Sequence, residues 1–110
     1  MKIEFQTPFK GVPENLVKEI SAELMKLSHL NRDISSADVL LKVDDKIIAA
    51  ENKICEIKLA VFADTITAKS RTENFKASAK ETLKELKRMV MQQVKKQKEP
   101  QEDIVSTVKV

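Results

Sequence analysis

Residues 75–94 read FKASAKETLKELKRMVMQQV and set Phe75, Ala79, Leu83, Leu86, Val90 and Val94 at spacings of three and four. That period predicts an amphipathic helix with one apolar stripe over five turns. Thr72 or Asn74, just ahead of the stripe, offers the short polar side chain that caps a helix start. A helix of this kind has to bury its stripe, so the remaining sequence must supply an apolar surface to receive it.

Working outward, residues 53–61 alternate, with Lys53, Cys55, Ile57, Leu59 and Val61 in one register and Ile54, Glu56 and Lys58 in the other. Residues 37–44 alternate likewise, with Ala37, Val39, Leu41 and Val43 on one side. Both patterns predict strands with one buried face. Asp64 turns the chain into a further strand over 65–70, and residues 2–6 form a short strand with Ile3 and Phe5 on one side. Residues 7–13 turn the chain, and Pro13 and Glu14 then suit the first turn of a helix over 13–29, which carries Leu16, Val17, Ile20, Leu24 and Leu27. Residues 47–50, Ile-Ile-Ala-Ala, are apolar without a period and fit either an extension of the second strand or a loop packed on the sheet. The order is β-α-β-β-β-α, an α+β domain in two layers, with two helices on one face of a four-stranded sheet. The domain is expected over 1–98, with a disordered tail over 99–110 after Glu99-Pro100.

The composition narrows the chemistry. A single Gly11 cannot build a glycine-rich phosphate loop, and one Cys55 with one His29 excludes conventional zinc sets. Neither Trp nor Tyr is present, so base-stacking platforms would have to come from four Phe residues. No acid, base and nucleophile set comes together, and no cofactor or metal is expected. No run reaches the roughly 18 apolar residues of a membrane span, and the first residues lead into charged sequence. A cytoplasmic protein with no membrane partner and no small-molecule substrate is expected. Cys55 reads as a buried, inert thiol, His29 as a helix-end or surface residue, and Asp44-Asp45 as a turn rather than a cation site.

The charge is concentrated. Residues 69–98 hold ten Lys or Arg against three acids, whereas residues 1–68 and 99–110 are each net −2. On the last helix Lys76, Lys80, Lys84, Lys87 and Arg88 follow one another at helical spacing, and Lys95 extends the same side. Neighbours at this spacing stand about 5–6 Å apart, a row that can meet successive phosphates. The competing reading is a solvated face partly neutralised by Glu81 and Glu85. Lys69 and Arg71 precede the helix and extend the footprint, and Lys26 with Arg32, near the end of the first helix, adds a second edge or complements the helix dipole.

The element order, the segment AKSRTENFKASAKETLKELKRMV over 68–90 and the basic close VKKQK over 94–98 together resemble the ribosome hibernation promoting factor family, also called the ribosome-associated inhibitor or sigma-54 modulation family. Glu73-Asn74-Phe75 is similar to that family's acidic or amide pair followed by a large apolar residue. Leu86-Lys87-Arg88 is similar to its Leu-x-Arg, and Lys26-Leu27 to its Lys-Leu. Ala79 stands where many relatives have Asp or Asn, and the acidic tail departs from relatives with a basic one. The resemblance covers about residues 1–98 and is to the short type, without the additional domain that drives ribosome dimerisation. It implies a non-enzymatic factor that binds the small ribosomal subunit and its rRNA in the decoding region and inhibits translation during starvation. The RNA contacts it favours here are Lys26, Lys69, Arg71, Lys76, Lys80, Lys84, Lys87, Arg88 and Lys95.

Two other functions fit the same residues. A general double-stranded-RNA module would bind naked duplexes as well as ribosomes, and a homo-oligomeric interaction protein would pair a strand edge or residues 104–110 with another chain. A monomer is expected. Deleting residues 101–110 is expected to leave the melting temperature unchanged, because only Ile104, Val105, Val108 and Val110 there have apolar surface to bury. A drop of several degrees, or loss of an oligomer, would show instead that this segment pairs.

Overall fold

The structure is a computed structural model that describes residues 1–8, 12–44 and 51–109, with side chains described through Gln93. Its elements are β1 (Lys2–Gln6), α1 (Glu14–Leu30), β2 (Ile34–Val43), β3 (Lys53–Val61), β4 (Asp64–Thr72) and α2 (Phe75–Lys109). The four strands form one sheet in the order β1-β2-β3-β4. β1 runs parallel to β2, with α1 as the crossover, and β2, β3 and β4 form an antiparallel meander. This is the α+β arrangement expected from the periodicities. Residues 47–50, the tail beyond 99 and the side chain of Lys95 lie outside the residues whose side chains are described.

Alternation along the strands selects the covered face. Ala37, Val39 and Leu41 of β2 stand opposite Leu59, Ile57 and Cys55 of β3, and Leu59 and Ile57 stand opposite Ile66 and Ala68 of β4. All of these are buried, and with Leu16, Ile20, Leu24 and Leu27 of α1 and Phe75, Ala79, Leu86 and Val90 of α2 they make one core. Ile3 and Phe5 of β1 pack at its margin. The opposite face of the sheet carries no helix among the described residues; Lys58, Thr67, Lys69 and Arg71 on it are exposed, whereas Ile54, between Lys42 and Arg71, is buried.

Element boundaries differ modestly from those expected. β2 begins at Ile34 rather than at residue 37, because Ile34 is buried and pairs with Val61, with a register shift between Ile34 and Ser36. β4 runs two residues further to Thr72, opposite Lys53. The turn between β3 and β4 uses Phe62 and Ala63, and Ala63 takes a φ of 62°, a left-handed conformation that costs an alanine about 1–2 kcal/mol.

The rotation of α2 is the larger difference. The apolar stripe implies Leu83 at the centre of the buried face, yet Leu83 is half-buried while Leu86 is fully buried. Ser78 and Thr82, each fully buried, take the sheet-facing positions instead. Ser78 Oγ donates to the Lys53 carbonyl at 2.6 Å and accepts from the Thr72 backbone N–H at 3.1 Å. The Thr82 hydroxyl lies 2.7 Å from the Ser78 carbonyl and 3.0 Å from the Cys55 carbonyl, so one proton serves both. A buried hydroxyl is tolerated when bonded. At the helix start Asn74 is the cap, its Oδ1 accepting the Ala77 N–H at 2.7 Å, while Thr72 Oγ1 donates to the Asn74 carbonyl at 2.7 Å and so holds the capping residue.

Three substitutions separate these contributions. Leu86→Ala is expected to cost about 2–5 kcal/mol, as deletion of a fully buried leucine does. Leu83→Ala should cost clearly less. Thr82→Val, which keeps the shape and removes the donor, should cost about 1 kcal/mol. Urea denaturation with constant m-values checks all three, and an equal cost for Leu83 and Leu86 would contradict this helix rotation.

Candidate nucleic-acid interface

With α2 seated by Ser78, Ala79 and Leu86, its lysines fall on the side facing α1. An open groove of about 920 Å³ runs between the helices, floored by Leu16, Ile20, Leu27, Ala79 and Leu83. Lys76, Lys80, Lys84 and Lys87 form its α2 wall, and Glu19, Glu23 and Lys26 stand on the α1 wall. All five lysines are exposed. Lys26 Nζ pairs with Glu23 at 3.1 Å, whereas none of the four α2 lysines has an ion-pair partner among the described residues. Spacing and local pairing therefore leave an unneutralised cationic wall beside an apolar floor.

The other expected contacts lie elsewhere. Glu81, Glu85 and Arg88 do not border the groove. Arg88 is paired with Glu85 through two of its three nitrogens, with Nε 3.1 Å from Oε2 and Nη2 bonded to Oε1. This bond holds the Glu85 carboxyl below its ordinary pKa and raises the guanidinium's. Lys69 and Arg71 alternate with the core residues Ile66 and Ala68 and so project from the open sheet face, not toward the helices. There Arg71 Nη1 lies 3.7 Å from Asp44 Oδ2. The strand alternation around Ala68 already contains this signal. The burial of Ser78 and Thr82 has none in the local sequence, because their partners are carbonyls on β3.

Among the described residues no cluster of His, Cys, Asp and Glu is placed to hold a metal ion, and no helix is long and apolar enough to cross a membrane. Cys55 is fully buried, and burial pushes its thiol up from 9.0 to about 11, with Glu56 adding to the rise and the Thr82 hydroxyl opposing it.

Comparison with known proteins places this geometry in a wider setting. No protein-family model and no curated protein matches the sequence. Solved structures do. A ribosomal subunit interface protein from Coxiella burnetii superposes with a TM-score of 0.70 at 13% identity, over 84% of this chain and 96% of that one. The N-terminal domain of Protein Y from Thermus thermophilus superposes with a TM-score of 0.66 at 14% identity, over 82% of this chain and 96% of that one. The chain shares their fold, the fold that its sequence resemblance implied.

The thiol supplies a prediction independent of any ligand. Since folding raises its pKa, its contribution to stability is complete below pH 9 and is lost as pH rises toward 11. Cys55 should therefore resist a thiol reagent at neutral pH until denaturant unfolds the chain. Rapid labelling of the native protein would contradict its burial.

Proposed function

We propose that the chain is a non-enzymatic ribosome-binding factor that seats its helical face on folded rRNA of the small subunit. The observation that carries this reading is the wall of exposed lysines, Lys76, Lys80, Lys84 and Lys87, without ion-pair partners among the described residues, on a fold shared with a ribosomal subunit interface protein. A rigid row of cations fits such a target because folded RNA displays phosphates and 2′-hydroxyls in a fixed shape, and no base needs to be read. Lys26 completes the groove from the α1 side, while its Glu23 partner is an exposed carboxylate whose hold on it is weak. The finer part of the proposal follows the family resemblance: occupation of the decoding region, exclusion of messenger and transfer RNA, and inhibition of translation in starved cells.

Co-sedimentation with purified subunits through a sucrose gradient tests the reading directly, with retention on the small subunit expected. Replacing Lys80, Lys84 and Lys87 together by Ala is expected to leave the circular dichroism and melting temperature unchanged, since all three side chains are exposed. Each lost phosphate contact should lower the salt slope of binding by roughly one. Arg88→Ala should weaken binding less than any of these, because Glu85 already occupies its guanidinium. An unchanged salt slope in the triple variant would remove the groove from the interface. Equal affinity for a naked RNA duplex would favour the general double-stranded-RNA module.

A further inference from the structure

The cations of the last strand lie across the sheet from the groove lysines, and they come together with a third that the linear sequence does not associate with them. Lys42 stands opposite Ile54 on β3, and Ile54 opposite Arg71 on β4, so the three form one row across the sheet. Neighbouring strands are about 4.8 Å apart, which sets the Lys42 and Arg71 backbones roughly 10 Å apart, with Lys69 about 7 Å down β4 from Arg71. These residues line a hollow of about 600 Å³ together with Val43, Asp44 and Ser70. Its wall thus carries three cations and one carboxylate, over a floor made by Ile54, only 4% exposed. Asp44 Oδ2 is 3.7 Å from Arg71 Nη1, and the Arg71 side chain stays half exposed, with further N–H donors on its guanidinium. Glu56, opposite Lys69, borders instead a separate hollow with Glu4 and Asp38.

We propose that Lys42, Lys69 and Arg71 form a second RNA-backbone site on the open sheet face, so that the domain bridges two RNA segments held on opposite sides of the sheet. The inference rests on the RNA-binding reading of the helical face, and it adds a distinct site with its own residues. Three cations arranged in a triangle suit phosphates of a folded backbone, and the apolar Ile54 floor lowers the local dielectric, which strengthens each contact. The sheet keeps the two sites apart, since successive strand residues point to opposite faces and α2 covers one of them. One small domain then holds two RNA segments at a fixed separation.

Native mass spectrometry with an RNA duplex of about 16 base pairs, the length a two-groove RNA module covers, reads the stoichiometry. The wild-type chain is expected to show one protein with two duplexes. K42A/K69A/R71A and K80A/K84A/K87A should each reduce this to one duplex, and the combined variant to none, with circular dichroism confirming that each is folded. A wild-type chain that holds only one duplex, or an open-face variant that still holds two, overturns the second site. If instead the groove variant still holds two duplexes while the open-face variant falls to one, the helical-face reading fails, because Lys80, Lys84 and Lys87 then hold neither duplex, and the open-face site stands.

Discussion

Two hydroxyls seated on the backbone of β3 set the rotation of α2, and much of the surface depends on that rotation. Ser78 reaches the Lys53 carbonyl and Thr82 the Cys55 carbonyl. Both strand carbonyls have a second lone pair available, so the hydroxyls are satisfied without drawing a donor from the sheet. Apolar burial alone permits a helix to roll by a fraction of a turn at little cost, whereas directional bonds at two successive turns do not. With the roll fixed, Leu86 enters the core, Leu83 moves to the groove floor, and the lysines one step further round become its wall.

Electrostatics divides along the same geometry. On the open face of the sheet, away from the hollow of Lys42, Lys69 and Arg71, Lys58 stands opposite Asp38. Such a pair contributes little stability, yet it cancels the field of that part of the surface. On α2 the acids Glu81 and Glu85 keep away from the groove, and Glu85 is occupied with Arg88. The protein's modest net charge of +3 therefore conceals a strongly cationic strip. A long-range attraction to a polyanion comes from that local concentration rather than from the total.

The fold was legible because each element has a clear period. The alternation in residues 53–61 and the spacing of Leu16, Ile20, Leu24 and Leu27 translate directly into the buried sets observed. Boundaries were less so: Ile34 belongs to β2 only because Val61 lies opposite it. The lysine row could be read from helical spacing, and Lys76, Lys80, Lys84 and Lys87 of it face α1, whereas Arg88 does not border the groove. What helical spacing could not supply was the phase of α2, which depends on carbonyls more than twenty residues away along the chain. Treating Lys69 and Arg71 as a continuation of the helical row followed linear proximity, and the pleat of β4 overrides it. Alanine 68, buried between two exposed neighbours, carried that information.

The parallel pairing of β1 with β2 has a consequence for the order of assembly. Lys2 stands beside Ser36 and Gln6 beside Leu40, so the first strand to be synthesised finds its partner only after the whole of α1 and part of β2 have followed it. The meander from β2 to β4, by contrast, closes through neighbouring hairpins, and α2 packs over β3 and β4. Loop-closure entropy favours the meander as the early unit and leaves the five-residue β1 to dock late along an edge already formed. During synthesis the amino-terminal strand waits, with its ladder groups solvated, for the carboxyl-terminal half to build the surface it joins.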